Sequence, residues 1–151
     1  MSVDRLYRLH ASLGYQLSLT SRMQEKRLDE KLKTLGLTRL SWCILLAVEN
    51  EGLFRPSDIA DFVGTDRTAT SRILRGMEAD GLIRRESGLG DRRTTHVAAT
   101  ALGREKVTDA TPYARENSAW MASKLADGEE AVLRRLLDKL RSGEVISLDR
   151  F

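Results

Sequence analysis

A chain of 151 residues is long enough for one domain with a real core. Its net charge of +3 excludes a strongly basic coat for nucleic acid, and its single cysteine excludes an intramolecular disulfide framework. No stretch approaches the roughly 20 apolar residues that span a membrane, and the opening "MSVDRLYRLH" lacks a signal peptide's apolar core, so a cytoplasmic protein is expected.

In chain order, Leu6, Leu9, Leu13, Leu17, Leu28, Leu32 and Leu35 share one broad face over residues 4–35, which predicts a long first helix. Such a stripe needs cover, and a second copy of the chain is the simplest cover. Gly36 ends this helix and Thr38 caps the next. That second helix, to about Asn50, is apolar almost all round, so it should be central. Pro56 suits the first position of a short helix to Val63.

The run from Thr65 to Thr100 carries the most information. Asp66 is a good N-cap and Gly81 a good residue just past a helix end. Between them Ala69, Ile73, Leu74 and Met77 form an apolar stripe, with Thr70 expected to be partly buried. The opposite face carries Thr68, Ser71, Arg72 and Arg75, flanked by Arg67. Such a helix fits the major groove of DNA, where Arg can bond guanine bidentately and Ser or Thr can bond bases or phosphates. An ordinary amphipathic helix with a solvated polar face has the same pattern.

The residues after Gly81 narrow the choice. "LIRRE" and "RTTHVAA" read as two short strands separated by "SGLGD". Arg84, Arg85, Arg92 and Arg93 then surround an exposed glycine-rich tip, and Asp91 can hold one of them by a charge-assisted bond. An arginine at such a tip suits a narrow, electronegative minor groove. Residues 65–96 hold seven Lys/Arg against five Asp/Glu. Seven cations can supply several phosphate contacts and a steep salt dependence.

Thr100 caps a long helix toward Leu125, with a kink or break expected near Ala110–Thr111 because Pro112 lies inside it. Asp127 and Glu130 make a capping-box-like start for the last helix, whose Val132, Leu133, Leu136, Leu137 and Leu140 form an apolar stripe. The tail from Gly143 to Phe151 either docks across a dimer or is disordered.

These residues resemble the MarR family of bacterial winged-helix regulators, over most of the chain and most densely from Leu37 to Gly103. "LTRLSWCILLAV" is similar to the family's second helix and "RPSDIADFVGTDRTATSRILRGMEADGLIRR" to its helix-turn-helix. "DRRTTHVAATALG" resembles the wing with its exit into the fifth helix, and "LADGEEAVLRRLLDKL" the last helix. The "DRR" after a Gly-rich turn and the "ATSR" are the most diagnostic pieces. The chain departs from the pattern at Arg39, where proline is common, and at Arg55, where a capping Ser or Thr usually stands. It departs again at Ala99, where a larger apolar residue is usual, and at Leu102, where a polar one is. Arg55 forgoes a cap worth roughly 1 kcal/mol but adds charge near the expected path of DNA.

The resemblance implies a mainly α fold with a small β-wing. A winged helix over about 37–99 would join dimerisation helices over about 4–35 and 100–141, within one domain. It implies a homodimeric repressor on double-stranded DNA, usually released by a small ligand or an oxidant. The expected DNA contacts are Arg55, Ser57, Arg67, Thr68, Ser71, Arg72, Arg75, Arg84, Asp91, Arg92 and Arg93. His10, Tyr15, Trp42 and Tyr113 are candidates for an effector pocket taking a small aromatic or carboxylate compound; core and interface roles are the alternative for each. Cys43 is a candidate redox switch, with a core thiol as the alternative.

No metal-ligand spacing, phosphate-cradling loop or nucleophile motif is present, so no cofactor, metal or enzymatic activity is expected. The competing function is a winged helix that binds protein. Desolvating four arginines at a protein interface argues against it.

Overall fold

The computed structural model describes residues 6–88 and 90–144, with Asp91, Arg92 and Arg93 described in backbone alone. The expectations placed on those three side chains, on Leu89 in the tip and on the tail past Glu144 lie outside the described residues.

The first long helix, α1, spans Leu13–Thr34. It starts later than the leucine periodicity predicts. Ser12 is extended, its hydroxyl accepts from the Tyr15 amide at 3.2 Å, and Leu9–Ala11 before it form a single 3-10 turn. A good cap outweighs continued apolar spacing, because it satisfies amides that only a further helical turn would otherwise satisfy. Helix α2, Arg39–Glu49, opens with a reciprocal capping box between Thr38 and Ser41. It supplies the buried centre through Ile44, Leu45, Ala47 and Val48. Helices α3, Pro56–Val63, and α4, Arg67–Ala79, follow through Gly64, whose φ of +77° suits the glycine there.

Strands β1, Ile83–Gly88, and β2, Asp91–Ala99, form an antiparallel hairpin with Ile83 opposite Ala99 and Glu86 opposite His96. The ladder is irregular between Ser87 and Gly88. Side chains of Leu28, Leu32, Ile44, Leu45, Ile59 and Leu74 meet Ile83 and Val97 in one core. The small Ala99 is buried in it.

Helix α5, Ala101–Ala122, is capped by the Thr100 hydroxyl, which accepts from the Gly103 amide at 3.1 Å. Of the kink or break expected near Ala110–Thr111, no break occurs: the helix runs through Pro112. Proline removes one amide donor, and α5 remains held by Val107 and Ala110 in the core and by its packing along α1 and α2.

Helix α6, Glu129–Arg141, is capped differently from expectation. Gly128, at φ +82°, occupies the N-cap without a side-chain bond, and the Ala126 amide donates to Glu129 at 2.7 Å. Glu130 pairs with Arg134 instead of closing a capping box. No helix among the described residues is long and apolar enough to cross a membrane.

Candidate nucleic-acid interface

The α4 surface follows from its cap and its buried stripe. Asp66 accepts from the Ala69 amide at 2.6 Å, and Thr70, 1% exposed, donates its hydroxyl to the Asp66 carbonyl at 2.8 Å. With Thr70, Leu74 and Met77 buried, Arg67, Thr68, Ser71, Arg72 and Arg75 are left together in solvent. No carboxylate among the described residues pairs with Arg67, Arg72 or Arg75. The face is therefore a stripe of free guanidiniums and hydroxyls, the donor set that base edges and phosphates accept.

The start of α3 lies against the hairpin. Arg55 is exposed and caps nothing, and its guanidinium sits 5.5 Å from the Phe54 ring centroid; Ser57, in the first turn of α3, is half-buried. The Phe54 carbonyl accepts from the Val97 amide at 2.8 Å, and the Phe54 ring meets His96 edge-on at 4.8 Å. This link between the segment before α3 and the wing has no local sequence signal.

Arg84 and Arg85 of the hairpin have different partners. Arg84 pairs with Glu86 at 2.9 Å on an exposed edge. Arg85 is not at the tip as its sequence position suggests. It turns back onto α4 and donates three bonds to Glu78: its amide at 3.2 Å, Nε at 2.9 Å and Nη2 at 2.7 Å. Those bonds hold the Glu78 carboxyl below its ordinary pKa. Burial of Glu78 and Arg85 is only partial, so the clasp contributes orientation more than stability. Arg92 and Arg93 lie on the strand that leaves the tip.

The candidate effector residues do not converge within one protomer. His10 and Tyr15 meet edge-on at 5.1 Å, with Arg22 5.8 Å from the Tyr15 ring. Tyr113 instead lies beside Lys31, 5.5 Å from its ammonium. Tyr15 and Lys31 are sixteen residues apart on α1, about 24 Å at 1.5 Å per residue. Trp42 is half-buried against the core, and its buried Nε1 has no partner. Cys43 is half-buried on α2; burial pushes its thiol pKa up, against a smaller opposing pull from Arg39. Arg39, the departure at the head of α2, pairs with Glu25 at 3.0 Å and Asp29 at 3.7 Å. No group of three His, Cys, Asp or Glu residues among the described ones could hold a metal ion.

Known proteins share this fold. The MarR family model matches residues 35–94, from the end of α1 through most of the wing. The transcriptional repressor MprA of Escherichia coli is 28% identical over 144 residues, covering 87% of this chain and 82% of its own. The MosR regulator of M. tuberculosis, solved in complex with DNA, is 27% identical with a TM-score of 0.71, covering 85% of this chain and 92% of that one. BpsR of Bordetella bronchiseptica, a DNA-binding protein regulated by 6-hydroxynicotinic acid, superposes with a TM-score of 0.84 at 19% identity, over 92% of this chain and 99% of its own. The sequence match over the helix-turn-helix and the shared fold agree: the chain is similar to the MarR family of winged-helix transcriptional regulators.

Proposed function

We propose that the chain is a cytoplasmic homodimeric repressor of a pseudo-palindromic operator, released by a small effector and without enzymatic activity of its own. The observation that carries this reading is the α4 face, where three unpaired arginines and two hydroxyls stand together in solvent. Thr68, Ser71 and Arg72 read bases in the major groove, while Arg67 and Arg75 hold bases or phosphates. Arg55 and Ser57 meet the backbone at the start of α3, and Arg84 meets it from the wing stem. Arg93, steered by Asp91, enters the flanking minor groove, with Arg92 on the backbone.

The uncovered stripe of α6 supports the dimer. Val132, Leu133, Leu136 and Leu140 are 45–52% exposed, and Leu9 before α1 and Leu13 at its start are 50% and 62% exposed. A soluble chain leaves such faces open when a second copy covers them. Two α4 helices would then enter successive major grooves about one helical turn apart. MprA is a repressor, MosR is seen bound to DNA, and BpsR is controlled by 6-hydroxynicotinic acid, and all three support the class of activity.

The test is fluorescence anisotropy on a labelled duplex of the upstream intergenic region, at low and moderate salt, against a scrambled competitor. Specific binding that falls on the order of tenfold or more with salt is expected. Arg72→Ala and Arg93→Ala should each cost more than about 1 kcal/mol of specific binding. Equal, weak binding to both duplexes would overturn the operator reading and favour a protein partner.

A further inference from the structure

Between α1 and α5 lies a cavity of about 230 Å³ lined by Arg27, Glu30, Lys31, Tyr113, Glu116 and Asn117. The two stripes face each other at helical spacing: positions 27, 30 and 31 on one helix, 113, 116 and 117 on the other. Asn117 is the informative member. It is 6% exposed and donates its Nδ2 to the Gln24 carbonyl at 3.2 Å, yet its buried Oδ1 accepts from nothing. A buried carbonyl without a donor loses the hydration it had in water and gains nothing in return, so such atoms normally have a protein, water or ligand partner.

The charges around it are equally uncommitted. Arg27 lies over the Trp120 ring at 4.1 Å and Lys31 near Tyr113 at 5.5 Å, but neither pairs with a carboxylate among the described residues. Glu30 and Glu116 likewise pair with no cation there. Two cations and two carboxylates make a wall without net charge. A plain carboxylic acid would meet two repelling glutamates, and an amine two repelling cations. A molecule bearing both groups satisfies both pairs, and its ammonium supplies the donor that Asn117 lacks. The volume falls below the roughly 300–1,000 Å³ of drug-sized pockets, which limits the occupant to a small molecule.

We infer that this cavity binds a small zwitterion of the α-amino acid class, with its carboxylate toward Arg27 and Lys31 and its ammonium toward Asn117, Glu30 and Glu116. This assignment rests on the repressor reading in one respect, that the zwitterion is the effector. Its site joins the two helices that carry the DNA module on the dimer region, so occupancy can change their separation.

Trp120 reports on the site directly. In a full-length Trp42→Phe protein it is the single tryptophan, and each standard L-amino acid is titrated in turn while its fluorescence is followed. The expected result is saturable quenching by one or a few amino acids. The deaminated and decarboxylated analogues of the best binder should fail, and Lys31→Gln, Glu116→Gln and Asn117→Leu should each weaken it at least about tenfold. Lys31 and Glu116 are surface positions, so their variants report even where Asn117→Leu does not fold. No quenching by any amino acid overturns the site, as does binding of an analogue lacking one charge or unchanged affinity in the two surface variants. Operator anisotropy on the same samples separates the two readings. Quenching without DNA release overturns the effector role alone, whereas absent DNA binding by the ligand-free protein overturns the repressor reading.

Discussion

Substituting Gly103 by alanine tests how the wing is joined to α5. A Cβ there would lie 2.1 Å from the Leu82 carbonyl oxygen and 3.2 Å from Leu45 Cδ2. Ordinary contact begins near 3.4 Å, so the backbone must move by about 1.3 Å. It has little freedom to do so. The Leu82 carbonyl accepts from the Thr100 amide at 3.1 Å, and Thr100 caps the helix that contains Gly103. Alanine gains up to about 1 kcal/mol of helix propensity. Against this stand about 1–3 kcal/mol of overpacking and about 1 kcal/mol for a strained hydrogen bond. A net loss of about 2 kcal/mol is expected. Gly76→Ala on α4 is the control: it is helical with no atom within 4 Å of the new methyl, and should gain up to about 1 kcal/mol. Urea denaturation at a fixed protomer concentration measures both. A Gly103→Ala protein as stable as the parent would refute the close approach between α5 and the start of the wing.

Because Arg85 depresses the Glu78 pKa, the stability from this pair is complete above the ordinary carboxylate pKa and lost as pH falls through the depressed one. Glu78→Gln should therefore lower stability at neutral pH and flatten the acid dependence, and parallel acid melts for variant and parent would contradict this. The raised pKa of Cys43 keeps it a thiol at neutral pH, so alkylation should be slow in the native protein and fast in denaturant. Rapid native alkylation, or peroxide release of DNA that Cys43→Ser abolishes, would restore the redox reading. Leu136→Asp on α6 should give a monomer by light scattering with weak operator binding; a dimer with full affinity would remove α6 from the interface.

The parts of this protein that are legible in its sequence are those fixed by neighbours a few residues apart. Asp66 as a cap, Thr70 on the core-facing side of α4, Thr38 opening α2 and the hairpin after Gly81 all depend on contacts within one helical turn or one strand pair. Expectation and structure part where two local signals compete. Leucine spacing favours helix before residue 12, and the Ser12 cap prevails. Proline favours a break at 112, and packing along α1 and α2 prevails. Asp127 has the chemistry of a cap, and a left-handed glycine takes its place. The contacts that escape a reading of the sequence are those between distant segments. Glu78 with Arg85, Phe54 with Val97, and Asn117 with Gln24 carry no spacing rule that a single sequence displays.

Two of those distant contacts have a joint consequence. The Phe54–Val97 bond fastens the wing to the lead-in of α3, and the Glu78–Arg85 bonds fasten it to the end of α4. The hairpin stem is thus braced at two points, one on the segment before α3 and one on α4. Its conformational entropy is lost when the chain folds rather than when an operator is met, and binding is not weakened by ordering it then. In the proposed complex the helix and the stem of the wing would meet the duplex as a single preorganised body, with the angle between them set before the encounter.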